Sequence, residues 1–205
     1  MTNIRQSVAK DLLEIKAVEL RPNDYFIWTS GIKSPIYCDN RITMSYPKVR
    51  RNISQGLAAL IREYYPQATS IAGTATAGIP HAAWVSEILD MPMTYVRDSK
   101  KKHGKTNQIE GRLSKGDKVV VVEDLISTGL SSINVVKALE EVGVEVLGVI
   151  AIYSYNLKKA VDAFKEAKVS YHTLTNYDEL VEEASKQGYI KEEDKVELVE
   201  WRNNL

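Results

Sequence analysis

Cysteine is nearly missing from these 205 residues: Cys38 stands alone. One thiol cannot close a disulfide within the chain, and such sparing use fits a reducing compartment. Net charge is missing too. Lys plus Arg and Asp plus Glu each number 27, so no overall charge draws the chain to nucleic acid or to an anionic membrane. There is no apolar run long enough to span a bilayer. The opening stretch MTNIRQSVAKDLLEIKAVEL carries acids through its apolar part, unlike a secretory signal. Internal repeats, low-complexity segments and linkers are lacking as well. These absences lead to the expectation of a soluble, cytoplasmic protein with neither nucleic acid nor membrane as partner, of a length suited to one α/β domain with additions.

What the chain does have is concentrated in Lys118 to Ser132, KVVVVEDLISTGLSS. Four β-branched residues, Val119 to Val122, suit a strand buried on both faces in the middle of a parallel sheet. Two carboxylates follow, Glu123 and Asp124, and then the small-residue turn Ser127-Thr128-Gly129. Ile133, Val136, Leu139 and Val142 continue at helical spacing from a Ser cap. A buried strand, a small-residue turn and a helix N-terminus make an anion site, because the turn's N–H groups lack intrahelical partners and the helix dipole favours phosphate there.

Ile4, Val8, Leu12 and Ile15 predict an amphipathic first helix after a Thr2/Asn3 cap. Tyr25 to Trp28 reads as a short strand leading through polar, basic turns to Ile36-Tyr37-Cys38, a hairpin-like excursion ahead of the main sheet. Pro47 opens a second helix that stops before Pro66. Ser70 to Gly73, followed by Thr74-Ala75-Thr76-Ala77-Gly78 and a helix from Pro80 to Leu89, repeats the strand, turn and helix unit. Further strands are expected at Met93 to Val96, Lys118 to Val122, Val146 to Tyr153 and Ser170 to Leu174, with helices at Leu130 to Val142 and Leu157 to Lys165. This alternation predicts an α/β fold with a doubly wound, mainly parallel sheet flanked by helices, whose ligands sit beyond the carboxyl ends of the strands. A single domain spans 1–205: N-terminal helix and hood elements over 1–45, the α/β core over 46–176, and two acidic helices divided by Gly188 over 177–205.

Arg97 to Gly111, RDSKKKHGKTNQIEG, carries Arg97, Lys100, Lys101, Lys102 and Lys105 with little apolar content. It reads as a mobile loop or an extended hairpin. By itself such a run is most often a solvated surface loop. Beside an anion-binding turn it can instead close over a polyphosphate as a cationic lid.

VVVVEDLISTGLSS resembles the phosphoribosyl pyrophosphate signature of the type I phosphoribosyltransferases. FIWTSGIKSPIYCDNR (Phe26 to Arg41), GTATAGIP (Gly73 to Pro80) and the flap with KKKHG and NQIEG resemble, in order and spacing, the orotate branch of that family. The similarity covers nearly the whole chain. It implies a type I phosphoribosyltransferase fold with an N-terminal hood, and transfer of a 5-phosphoribosyl group from phosphoribosyl pyrophosphate to N1 of orotate in pyrimidine (UMP) biosynthesis. Mg²⁺ is implied as a cofactor bound mainly through the substrate, with no metal site of the protein's own, and a homodimer is implied in which the flap is shared across the interface.

The resemblance also distributes roles. Glu123 and Asp124 would approach the ribose hydroxyls, directly or through Mg²⁺, and favour the charge growing on an oxocarbenium-like ribose. The same binding run continues through Leu125 and Ile126 to Ser127, Thr128, Gly129, Leu130 and Ser131, which would cradle the 5-phosphate. Ser127 and Lys33 would touch orotate. Arg97, Lys101 and His103 would hold pyrophosphate, His103 carrying a proton to it, and Lys101, His103 and Asp124 form the expected catalytic group. His81 and His172 read as structural and Cys38 as packing.

Three departures stand against this pattern. Some relatives have a lysine where this chain has Ala77, some have Asp-Arg where it has Tyr153-Ser154-Tyr155-Asn156, and many have a lysine at the position of Asp98. Other readings therefore stay open at this point: a phosphoribosyltransferase for a different base, and a non-catalytic sensor of phosphoribosyl pyrophosphate. Lys33 equally fits an ordinary solvated turn.

Overall fold

The computed structural model describes residues 2–27, 31, 33–98 and 108–205. Helix α1 (Thr2–Glu14) already includes Thr2, where a cap was expected, and buries Val8, Ala9, Leu12 and Leu13. Strand β1 (Val18–Leu20) pairs antiparallel with β4 (Ile36–Cys38), and between them β2 (Phe26–Ile27) pairs with β3 (Lys33–Ser34) as a small hairpin. A 3-10 helix, Asn40–Ser45, follows. Neither β1 nor this helix is visible in the sequence pattern, because both are too short to show a period. The end of the expected strand at Trp28 and the turn residues Thr29 and Ser30 lie outside the described residues.

Helix α2 (Pro47–Tyr64) begins on Pro47, whose missing N–H is no loss at a helix start, and buries Val49, Ile53, Leu57 and Ile61 along one stripe. The main sheet then begins with β5 (Ser70–Thr74), helix α3 (Gly78–Leu89), β6 (Met93–Val96) and β7 (Ile109–Glu110). After these come β8 (Lys118–Ile126), α4 (Leu130–Glu140), β9 (Glu145–Ser154), α5 (Lys158–Ala167), β10 (Tyr171–Asn176), α6 (Tyr177–Lys186) and α7 (Asp194–Asn203). The order across the sheet is β10-β9-β8-β5-β6-β7. Every pairing is parallel except β6 with β7, where Tyr95 faces Glu110 and Val96 faces Ile109. The base of the expected flap is thus an antiparallel ribbon.

The sheet is covered on both faces, as its valines require. Val120 and Val122 join one cluster with residues of α1, α2, α3, α6 and α7, while Val119 and Val121 join another with residues of α4 and α5. All four are fully buried. Each contributes roughly 1.5–3 kcal/mol of hydrophobic stabilisation, and the alternation follows from the two-residue period of a strand. Among the described residues no helix is long and apolar enough to cross a membrane.

Some boundaries differ from those read in the sequence. Strand β8 does not stop at Val122 but runs on through the two carboxylates to Ile126, because β9 keeps pairing with it out to Ser154. Helix α4 is capped by Gly129 in a left-handed conformation, with no side-chain cap, rather than by a serine. Helix α3 starts at Gly78, so Pro80 falls inside its first turn, where no intrahelical N–H bond is lost.

Candidate active site

The strand order locates the site. From β5 the chain passes through α3 to β6 on one side, whereas β8 and then β9 lie on the other, so the winding reverses between β5 and β8. In open α/β sheets that reversal opens a crevice beyond the carboxyl ends of the two strands. Both small-residue turns lie there: Ala75 to Ala77 after β5, and Ser127 to Gly129 after β8. The two turns lead directly into the N-termini of α3 and α4.

Glycines allow the close approach. A Cβ on Gly78 would stand 2.5 Å from the Val122 carbonyl oxygen, so α3 can meet β8 only without a side chain there. Gly129 has φ +79°, and a Cβ on it would come within 2.8 Å of the Phe164 ring. The turn it closes leaves Ser127 and Thr128 half-buried and Leu130 and Ser131 exposed at the start of α4.

The carboxylate pair is not two equivalent solvated acids. Glu123 is buried, accepting from the Ser132 hydroxyl at 3.1 Å and from the Asp124 backbone N–H at 3.1 Å. Burial, then the adjacent Asp124 charge, push its pKa up to about 8. Asp124 is half-buried; burial raises its pKa, while its hydrogen bond to Glu123, backbone N–H groups and the Arg41 charge pull the other way. We read the pair as sharing one proton, held on Glu123, with the negative charge on Asp124.

The hood is sewn to this point. The Asn40 side-chain amide donates to the Asp124 carbonyl at 2.8 Å, and the Cys38 thiol lies 3.5 Å from the Asn40 side-chain oxygen. Burial and the Asp124 and Asp39 charges raise the Cys38 pKa well above its ordinary value, which keeps the thiol protonated. Arg41 holds Asp39 through two short bonds of 2.6 and 2.9 Å.

On the other side, Arg97 follows β6 directly and lies 3.6 Å from Glu110. A cleft of about 220 Å³ joins Arg97, Asp98 and Gln108 to Ser131, Asn134 and Val135 of α4. The structure therefore gathers Asp124, Glu123, the run from Leu125 to Ser131, and Arg97 around the ends of β5, β6 and β8. Lys33 is exposed on the hood hairpin. Lys101 and His103 lie outside the described residues. His81 is buried against the edge of Trp84, and burial pulls its pKa down to about 4, whereas His172 stacks on Tyr64 at 3.7 Å. Ser132 and Asn40 were missed in the sequence. A serine on the buried face of α4 was the available clue to the first; for Asn40, a polar residue in a short helix gives no sign of its partner.

The phosphoribosyl transferase domain family matches residues 46–194 of the chain. An orotate phosphoribosyltransferase of Fusobacterium nucleatum subsp. nucleatum is 60% identical over 204 residues, which is 98% of this chain and 97% of that one. The chain belongs to the orotate phosphoribosyltransferase family. Solved structures agree with this. The orotate phosphoribosyltransferase of Aeropyrum pernix superposes with a TM-score of 0.77 at 28% identity, covering 89% of this chain and 99% of that one. Leishmania donovani UMP synthase superposes with a TM-score of 0.81 at 25% identity over 98% of this chain, which spans 42% of that longer protein. The fold is that of the type I phosphoribosyltransferases, and the protein is a pentosyltransferase.

Proposed function

We propose that this protein transfers the 5-phosphoribosyl group of phosphoribosyl pyrophosphate to N1 of orotate, giving orotidine 5-phosphate and pyrophosphate for pyrimidine synthesis in the cytoplasm. The observation that carries this is the near full-length 60% identity to an orotate phosphoribosyltransferase. The bond formed joins N1 to C1 of the ribose; the bond broken joins C1 to the departing pyrophosphate oxygen.

The residues on hand suit that chemistry. The N–H groups and hydroxyls of Ser127 to Ser131 hold the 5-phosphate at the start of α4. Asp124, the charged member of the pair, faces the ribose hydroxyls and stabilises positive charge growing at C1, while Glu123 keeps Asp124 in place from beneath. Leu125 and Ile126 carry the backbone from the acids to the turn. Arg97 stands on the pyrophosphate side, and Lys101 and His103 keep the role that the resemblance gives them, neutralising pyrophosphate and protonating it. Ser127 and Lys33 are the orotate contacts.

A hard cation fits this donor set only in company with substrate oxygens. Among the described residues no three His, Cys, Asp or Glu side chains gather as a metal cage, and Asp124 is the carboxylate placed to share such an ion. When bound, Mg²⁺ supplies charge to the phosphate oxygens. The working unit is a homodimer whose flap completes the neighbouring site.

Purified protein with Mg²⁺ and phosphoribosyl pyrophosphate will consume orotate, followed by its ultraviolet absorbance, and will leave uracil and hypoxanthine untouched. Turnover of those bases without orotate would overturn the assignment. Mixed dimers of Lys101→Ala and Asp124→Asn subunits regain activity if the flap is shared; no recovery on mixing refutes that arrangement.

A further inference from the structure

Helix α7 is tied to the hood hairpin and to the end of β9 at once. The Trp201 indole N–H donates to the Lys33 carbonyl at 3.1 Å, and the Tyr25 hydroxyl donates to Glu197 at 2.6 Å. The residue after Trp201, Arg202, grips Asp178 through two bonds of 3.2 and 3.0 Å, and Asp178 also accepts from the Asn156 amide at 2.9 Å. Asn156 lies two residues past the end of β9 and has φ +53°. The Trp201 ring is itself seated on the fully buried Tyr177, with centroids 6.3 Å apart, and the Tyr177 hydroxyl donates to the Leu198 carbonyl at 2.9 Å. Trp201 is therefore fixed from below before it reaches the hairpin.

The hairpin has a second attachment at the opposite end. Phe26 of β2 packs on Tyr37 of β4 at 5.7 Å, and β4 runs into Asn40, which holds the Asp124 carbonyl. Lys33 thus sits on a two-stranded ribbon anchored at one end to the strand carrying Asp124 and at the other to α7. Its side chain is exposed while its backbone is held on both edges, by Ile27 across β2 and by Trp201. Such an arrangement fixes where a cation stands without burying it.

We infer that Trp201 is a positioning residue for base recognition: its bond to the Lys33 carbonyl sets the stance of the Lys33 ammonium toward a carboxylate-bearing base and leaves the phosphoribosyl donor unaffected. This rests on the reading of Lys33 as an orotate contact. The donor is held by β8 and α4, which α7 does not support through these bonds, so the effect must appear in the constants for one substrate only.

Steady-state kinetics on the full-length protein test it. Trp201→Phe keeps the ring on Tyr177 and removes the N–H. The loss of one hydrogen bond is expected to raise the KM for orotate about fivefold, with kcat and the KM for phosphoribosyl pyrophosphate changed by less than about twofold. Tyr25→Phe, which loosens the same ribbon with Trp201 intact, is expected to move the orotate KM in the same direction and serves if Trp201→Phe folds poorly. Lys33→Ala is expected to raise the orotate KM at least as much, and adding Trp201→Phe to it should change nothing more. An unchanged orotate KM in Trp201→Phe, beside a raised one in Lys33→Ala, overturns the inference and leaves the Lys33 reading standing. An unchanged orotate KM in Lys33→Ala overturns both. Equal increases for the two substrates, or a fall in kcat alone, would show a merely structural role and also overturn it.

Discussion

Replacing Glu123 with Gln removes a proton-binding group that folding has moved far from its ordinary behaviour. In the folded protein burial and Asp124 push Glu123 from 4.5 to about 8, whereas the unfolded chain releases that proton near the ordinary value. Between those two pH values the folded state binds more protons than the unfolded one, so this group's contribution to stability falls as pH rises and levels off above about pH 8. At 1.36 kcal/mol per pH unit, the loss between about pH 5 and about pH 8 is on the order of 3 kcal/mol for this single buried group. A glutamine does not titrate, and it can still accept from the Asp124 N–H while its amide faces Ser132. Urea unfolding of the ligand-free protein measures the effect. The variant minus wild-type difference should shift in favour of the variant on going from pH 5 to pH 8, by roughly 1–2 M in urea midpoint. Taking the difference cancels the pH dependence of groups unaffected by the substitution. A difference that stays constant with pH, or that moves against the variant at high pH, refutes the picture of Glu123 as the protonated partner.

Cys38→Ala should keep turnover within about twofold, since a protonated thiol is no nucleophile, whereas Lys101→Ala should lose on the order of a hundredfold in initial rate; the opposite ranking would sink the proposed chemistry. Gly129→Ala must accommodate both a positive φ and the Phe164 ring, and is expected to cost about 1–3 kcal/mol, seen as a fall in Tm of several degrees together with weaker binding of phosphoribosyl pyrophosphate in a titration. Gly78→Ala sets a methyl group against the Val122 carbonyl and should part α3 from β8. Its kcat should fall further than its stability would suggest, and a fully active variant would show that the approach of those two elements is dispensable.

The sequence carried the sheet because its signals are long or chemically sharp. Val119 to Val122 could only be buried on both faces, and the apolar stripe from Val49 to Ile61 left little choice but a helix. Both small-residue turns were legible for the same reason, as glycine and hydroxyls followed directly on apolar strands. Asymmetry within the carboxylate pair was not legible. Two adjacent acids look alike in one dimension, and only the packing of α4 puts Ser132 against the buried Glu123 while Asp124 stays half-buried. The capping of α4 was misread because serines are good caps, while here the conformation at Gly129 does that work. Contacts that span the chain were out of reach altogether: nothing near Lys33 announces Trp201, 168 residues away.

The neighbouring placement of β5 and β8 also bears on how the protein comes to be active. Ser70 pairs with Val119 and Gly73 with Val122, so this central ladder closes a loop of nearly fifty residues that includes the cationic segment. Parallel pairings of that kind form slowly, because the entropy of loop closure is lost before the contacts that reward it exist. The crevice between the two strands has no counterpart in any shorter piece of the chain. Refolding protein should regain the ability to bind phosphoribosyl pyrophosphate only when the whole sheet has formed, and the amides of Val120 to Val122 should exchange with solvent only through global unfolding.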